Sequence, residues 1–248
     1  MSNNPFSNLS TEGMEEARDT LGGGGALDSG AYDGVIKLAY TGESSGGASS
    51  LTVHIDINGR EYRETVYVTS GRDKGQKPYY ERSGKKIPLP GFTVANDLAL
   101  LATGHPLNAQ TFEDKVVELY NFDERKEIPT KVTAVTSLHN KPITIGVLKT
   151  IEDKRKLNES TSQYEPTGET REVNNIDKVF HAETKKTVSE FSTKSDSEFY
   201  EKWVEKNKGQ TRNKATGAVG SPGMPGQRPA GAPPAAGGGA APGKSLFG

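Results

Sequence analysis

Three features of the sequence predict a mainly β fold. Apolar and polar residues alternate in several short runs, an Asn-Gly pair separates two of those runs, and one short helical pattern interrupts them. The order is strand, hairpin, short helix, then two or three more strands. That order suits an OB-fold-like five-stranded Greek-key barrel with a short helix between strands 3 and 4. An open sandwich would use the same pattern. A C-terminal helix and a disordered tail complete the expected chain.

Residues 1–28 are polar and glycine-rich and are expected to form a flexible N-terminal segment, with room for one short helix over "TEGMEEARDTL". The first strand is "YDGVIKLAY", followed by the soft loop "TGESSGGASS". "SLTVHIDI" then alternates strictly, with Leu51, Val53, Ile55 and Ile57 on one face and Thr52, His54 and Asp56 on the other. Asn58-Gly59 is a strong hairpin signal because a type I′ turn needs positive φ at both central residues. A two-residue turn pairs Ile55 with Tyr62 and His54 with Arg63, which sets the faces of the returning strand "REYRETVYVT". Leu51, Val53, Ile55, Tyr62, Val66 and Val68 should face the core. His54, Arg63, Thr65 and Tyr67 should form an outer face that is polar, basic and aromatic.

"TVANDLALLAT" reads as the short helix, ended by Gly104. "KVVELYN", "KVTAVTSL" and "ITIGVLKTI" read as later strands, the last two joined by a turn at "HNKP". Residues 152–178 read as a charged insertion, with one more strand allowed near "ETREVNNIDKVF". The OB-fold-like domain is placed at residues 29–190 and a C-terminal helix at 191–208. Within the latter, Ser195 and Glu198 form a capping box, Phe199 and Trp203 stand at i,i+4, and Gly209 ends the helix. From Gly209 to residue 248 the chain is rich in Gly, Pro and Ala, carries Arg212, Lys214, Arg228 and Lys244 without any acid, and is expected to be disordered.

Composition narrows the chemistry. The chain has no cysteine, so disulfides and thiolate metal sites are excluded. His54, His105, His139 and His181 are scattered without ligand spacing, so no metal and no cofactor is expected. No phosphate-binding glycine loop and no nucleophile elbow occurs, and the adjacent acids lie in polar surroundings. A non-enzymatic binding protein is therefore expected. No signal-peptide layout or long apolar run is present, which points to a soluble, cytoplasmic protein with no membrane partner.

Residues 60–86 hold eight basic side chains against four acids in a chain of net charge -1. The eight are Arg60, Arg63, Arg72, Lys74, Lys77, Arg82, Lys85 and Lys86, interleaved with Tyr62, Tyr67, Tyr79 and Tyr80. Single-stranded nucleic acid asks for this pairing, because cations track the phosphates while aromatic faces stack on unpaired bases. A charge-rich loop between strands is ordinarily just solvated. This one adjoins Arg63 and Tyr67 on a rigid strand, which extends its chemistry onto the scaffold. Tyr67, Tyr79 and Tyr80 are the candidate stacking residues. A second basic cluster, Lys149, Lys154, Arg155 and Lys156, lies near Tyr164.

The segments "LDSGAYDGVIKLAY", "SLTVHIDINGREYRETVYVT" and "LPGFTVANDLALLATG" together resemble the phage-encoded single-stranded DNA-binding proteins of OB fold. "GETREVNNIDKVFH" and "FYEKWVEKNKG" extend the likeness more weakly, over about residues 28–210. The resemblance implies a protein that coats single-stranded DNA in replication, recombination and repair. It also implies replication partners, such as a polymerase or helicase, recruited by a terminal aromatic, here Phe247. The chain departs from the family in its tail, which lacks acids and ends "KSLFG". Two other readings of the residues stay open: an RNA-binding or strand-annealing OB protein, and a phage structural or assembly module whose tail is a tether.

Overall fold

The computed structural model describes residues 25–121, 124–158, 160 and 163–216. Strand β1 (Gly30–Glu43) is the hub of the sheet. A bulge between Ile36 and Leu38 bends it. Its first half pairs antiparallel with β8 (Pro142–Asn158), Gly30 opposite Val147. On its other side Val35–Glu43 pairs with β2 (Ser49–Ile57), and β2 with β3 (Arg60–Tyr67). The register of this hairpin is the expected one, with Ile55 opposite Tyr62 and His54 opposite Arg63. Asn58 (φ 53°) and Gly59 (φ 82°) make the turn, and the Gly59 N–H donates to Asp56 Oδ1 at 2.7 Å.

The hairpin's core face is the expected one. Leu51, Val53, Ile55, Tyr62 and Val66 are buried, and Val68 packs beside them. Helix α1 (Pro90–Thr103) is separated from the end of β3 by 22 residues, with Pro90 at its first turn and Gly104 (φ 79°) closing it. It starts three residues before the expected "TVANDLALLAT". Val94, Ala95, Leu98, Ala99 and Leu101 bury one side of it on β3, β8 and β9 (Gln163–Phe180). Each fully buried Leu or Val contributes about 1.5–3 kcal/mol.

Among the described residues there are ten strands where five were expected, in one antiparallel sheet to which the short last strand adds in parallel, and in a separate hairpin. The sheet does not close into a barrel. Its edges β3 and β9 share no ladder, but Glu64 of β3 accepts from the Ile176 N–H of β9 at 2.8 Å and from the Tyr62 hydroxyl. Burial raises the Glu64 carboxyl above its ordinary range despite those two donors.

Two ribbons depart from the expectation. β6 (Phe112–Asn121) and β7 (Lys126–Val135) pair along their length, yet only Thr133 and Ala134 reach β1. The expected charged insertion at 152–178 is instead the far half of the β8–β9 hairpin. Its two faces are both polar, so no apolar alternation marks it. Ion pairs such as Lys149–Glu172 at 2.9 Å and Lys154–Glu169 at 2.8 Å knit it across the strands.

The C-terminal helix is two helices, α2 (Val188–Thr193) and α3 (Phe199–Asn207). The expected box at Ser195 and Glu198 does not form; the capping box is Thr187 with Glu190. Glu190 Oε1 also accepts from the N–H groups of Glu198 (2.9 Å) and Phe199 (2.8 Å), so one carboxylate caps both helices. Burial alone would raise its pKa, but these hydrogen bonds outweigh burial and hold it below the usual range. Trp203 is buried with Leu148 and Phe180 and donates its indole N–H to Asp177 at 2.8 Å, while Phe199 stays at the surface.

Order also continues past the expected boundaries at both ends. Leu27 and the Asn174 side chain exchange hydrogen bonds of 2.6 and 2.8 Å. β10 (Thr211–Asn213) pairs parallel with Lys149–Ile151. Buried Ser29 ties the two together: the Lys149 N–H donates to its hydroxyl, the hydroxyl donates to the Gln210 carbonyl, and the Gly209 N–H donates to its carbonyl. Composition cannot foresee β10, because backbone pairing needs no apolar side chain. Residues 217–248, with Phe247, and residues 1–24 lie outside the described residues. No described helix is long and apolar enough to cross a membrane.

Candidate nucleic-acid interface

Tyr67 is the last residue of β3, and the chain leaves it through a loop that is fastened to its surroundings. The Val68 N–H donates to the Ser49 carbonyl (2.8 Å), and the Ser49 N–H to Thr69 Oγ1 (2.8 Å). A 3-10 turn over Arg72–Lys74 follows. The Arg72 N–H reaches the Gly46 carbonyl (2.9 Å) and the Gln76 side chain reaches the Gly47 carbonyl (2.6 Å), which ties this turn to the β1–β2 connection. Ser70 and Lys77 close the loop's neck through two hydrogen bonds of 2.9 and 3.0 Å.

The remainder is not open loop but a second hairpin, β4 (Tyr79–Arg82) with β5 (Lys85–Pro88). Ser83 (φ 51°) and Gly84 (φ 72°) form its two-residue turn. Both faces are polar, so alternation does not reveal it; the Ser-Gly pair was the available signal. The Leu89 N–H then donates to the Pro78 carbonyl (2.9 Å), and α1 begins. Gly91 lies hard against the end of β3, where a Cβ would stand 2.2 Å from the Tyr67 carbonyl oxygen. Only glycine permits that approach.

This packing brings Tyr67, Lys74, Lys77, Tyr79 and Tyr80 around one groove of about 780 Å³, with Asp73 and Glu81 also on its walls. Tyr67 is 52% exposed and Tyr80 45%. Tyr79 is half-buried and already carries cations, with Lys86 Nζ 4.7 Å and Lys77 Nζ 5.9 Å from its ring centroid. Tyr67 and Tyr80 are therefore the open aromatic platforms, and Tyr79 holds two lysines beside them.

The other sequence-selected cations lie elsewhere. Arg60 sits at the β2–β3 turn and donates to the Gly25 carbonyl. Arg72 pairs with Glu43. Arg82 and Lys85 flank the β4–β5 turn and make no ion pair among the described residues. Arg63 donates to the Tyr40 hydroxyl at 3.1 Å, three strand positions or more from the groove.

The face beside Arg63 differs from the expected outer surface. His54 is buried, its ring 5.8 Å from that of Tyr40, and Nδ1 is 2.7 Å from Glu61 Oε1. Burial lowers its pKa, outweighing the attraction of Glu61. Tyr40, Thr52 and Ser50 are buried on the same face. On β3 that face keeps Glu61, Arg63, Thr65 and Tyr67 exposed.

The second basic cluster is distant and largely engaged. Lys149 pairs with Glu172 and Asp28, and Lys154 with Glu169. Arg155 lines a cleft of about 520 Å³ with Tyr164, Arg171 and Lys214, but Glu152 and Asp153 line it too. Lys156 is exposed on the same strand. This cleft lies beyond the Gly30 end of β1, whereas Tyr67 pairs opposite Ser50, near Gly42. Gly30 and Gly42 are about 40 Å apart along the strand at roughly 3.3 Å per residue.

Among the described residues no group of three His, Asp or Glu side chains is arranged to hold a metal ion. No protein-family model matches the chain, and no curated protein matches it.

Proposed function

We propose that this chain binds single-stranded DNA without sequence preference, as a non-enzymatic protein of the phage type that coats transient strands in replication, recombination and repair. What carries this is the convergence of Tyr67 and Tyr80 with Lys74, Lys77 and the lysine-flanked Tyr79 on one groove. Lysines meet the phosphates as point charges, and the two open rings offer π-faces to any base. We propose further that the fold is of OB type. β1 lies between β2 and β8, β9 follows β8, and α1 lies between β3 and the later strands. Joining β3 to β9, which Glu64 already bridges, would complete a five-stranded Greek-key barrel.

Binding to a ~30-nucleotide single strand and to its duplex, titrated with salt, tests the proposal. Phosphate contacts from Lys74, Lys77 and Lys86 predict a slope of about -2 in log K against log salt for the single strand, at roughly -0.7 per contact. Replacing Tyr67 and Tyr80 by Ala should weaken binding about tenfold or more with the slope unchanged. Replacing the three lysines should flatten the slope. No detectable single-strand binding at low salt, or equal binding to the duplex, refutes the function; tighter binding to RNA of equal length would mark an RNA-binding protein instead.

A further inference from the structure

We infer that the large apolar cleft next to the tyrosine groove is a nucleobase pocket. A base enters it only if the groove holds a single strand, so the assignment depends on the function proposed above. The cleft measures about 880 Å³ and lies between the ends of β1 and β2 on one side and α1 and β6 on the other. Leu51, Val68, Phe92, Asn96, Asn108 and Phe112 are the walls that matter. It is continuous in sequence with the groove at two places, since Val68 follows Tyr67 and Phe92 follows Gly91.

Its chemistry differs from that of the groove. No lysine or arginine lines it, and its one carboxylate, Glu43, is ion-paired to Arg72. A phosphate has no partner there, so the part of a nucleotide that fits is the neutral, flat base. Phe112 is 43% exposed and Phe92 half-buried, which offers aromatic surface to the base faces. Asn96 uses Oδ1 to accept from the Leu107 N–H at 3.1 Å, which leaves its NH2 group for a ligand. Asn108 is exposed and has no hydrogen-bond partner among the described residues. Asn96 can donate and Asn108 can both donate and accept, so together they can meet the edge of any base without selecting one. Strand phosphates held by Lys74 and Lys77 and a base set into this cleft would anchor one nucleotide more deeply than the open rings alone.

The test compares two ligands of ~12 nucleotides, oligothymidylate and a fully abasic phosphodiester of equal length, on the full chain. Phe112→Leu, apolar but not aromatic, should weaken oligothymidylate about tenfold and leave the abasic ligand and both salt slopes unchanged. Phe112→Tyr should restore affinity, which a general packing defect would not allow. Asn108→Ala should weaken oligothymidylate alone, by less. Equal loss on both ligands overturns the inference. So does unchanged oligothymidylate binding by Phe112→Leu when the Tyr67 and Tyr80 variants bind weakly, a result that would leave the function standing and make the cleft a seat for a protein side chain. If the unaltered chain binds neither ligand, function and pocket fall together.

Discussion

Asp97→Asn should stabilise the protein at neutral pH and leave it unchanged in acid. Asp97 lies on α1, half-buried, and burial pushes its pKa from the usual 3.8 up to about 6 against the opposing pull of Lys178. A raised carboxyl favours the protonated fold. Its stabilising contribution is therefore complete below pH 3.8, fades as pH rises, and is gone above about 6. The full rise corresponds to roughly 3 kcal/mol. Solvent still reaches the carboxyl and screens it, which brings the expected effect to on the order of 1 kcal/mol. Asparagine keeps the neutral form at every pH. For a chain of this size 1 kcal/mol moves Tm by about 2–4 °C. Thermal melts of both proteins, followed by circular dichroism at pH 7.5 and pH 4, read the difference directly. A variant that melts at or below the unaltered protein at pH 7.5, or gains equally at both values, refutes this account of Asp97.

Glu64→Ala leaves the Ile176 N–H and the Tyr62 hydroxyl without their acceptor, at a cost of about 2–4 kcal/mol; amide exchange at Ile176 should accelerate, and unchanged exchange would disprove the bridge. Gly91→Ala drives a Cβ toward the Tyr67 carbonyl, so α1 must shift from β3. Single-strand affinity should then fall by more than stability does, as titration alongside a urea melt would show. At Gly146 a Cβ would stand 2.9 Å from the Trp203 ring, so Gly146→Ala should displace α3 and cost about 1–3 kcal/mol. Loss of the near-ultraviolet tryptophan signal is the readout.

The β2–β3 hairpin was legible because one of its faces is apolar and packs into the core while the other is polar, which writes a period of two into the residues from Leu51 to Val66. α1 was legible for a similar reason, and Gly104 marked its end. The ribbon β4–β5 and the far half of β8–β9 are wet on both faces, so their pairing leaves little periodic trace, whereas β6 and β7 were read as strands but not at their full length. Tyr79, Tyr80, Lys74 and Lys77 were selected from local composition and Tyr67 from strand alternation, and the five do share a groove. Composition had no means of removing Lys149 or Lys154, because their partners Glu172 and Glu169 reach them only through the β8–β9 register. His54 was assigned to an exposed face because alternation gives a side chain its direction but not what covers it. Phe92, read as a residue of the fold, and Phe112 were not selected for the site, since they meet only where α1 and β6 face the ends of β1 and β2.

The clasp at Ser29 has a consequence for the time order of synthesis. Ser29 and Gln210 are 181 residues apart, and the hydroxyl of one donates to the carbonyl of the other. At about 5–20 residues per second, Ser29 leaves the ribosome roughly 10–40 s before its last partners exist. The stretch of β8 that β10 will cover, from Lys149 to Ile151, is made late in that interval and then stays an unprotected sheet edge for about 3–12 s, until β10 follows. The finished domain shields that edge with only three residues, the last strand made among the described residues.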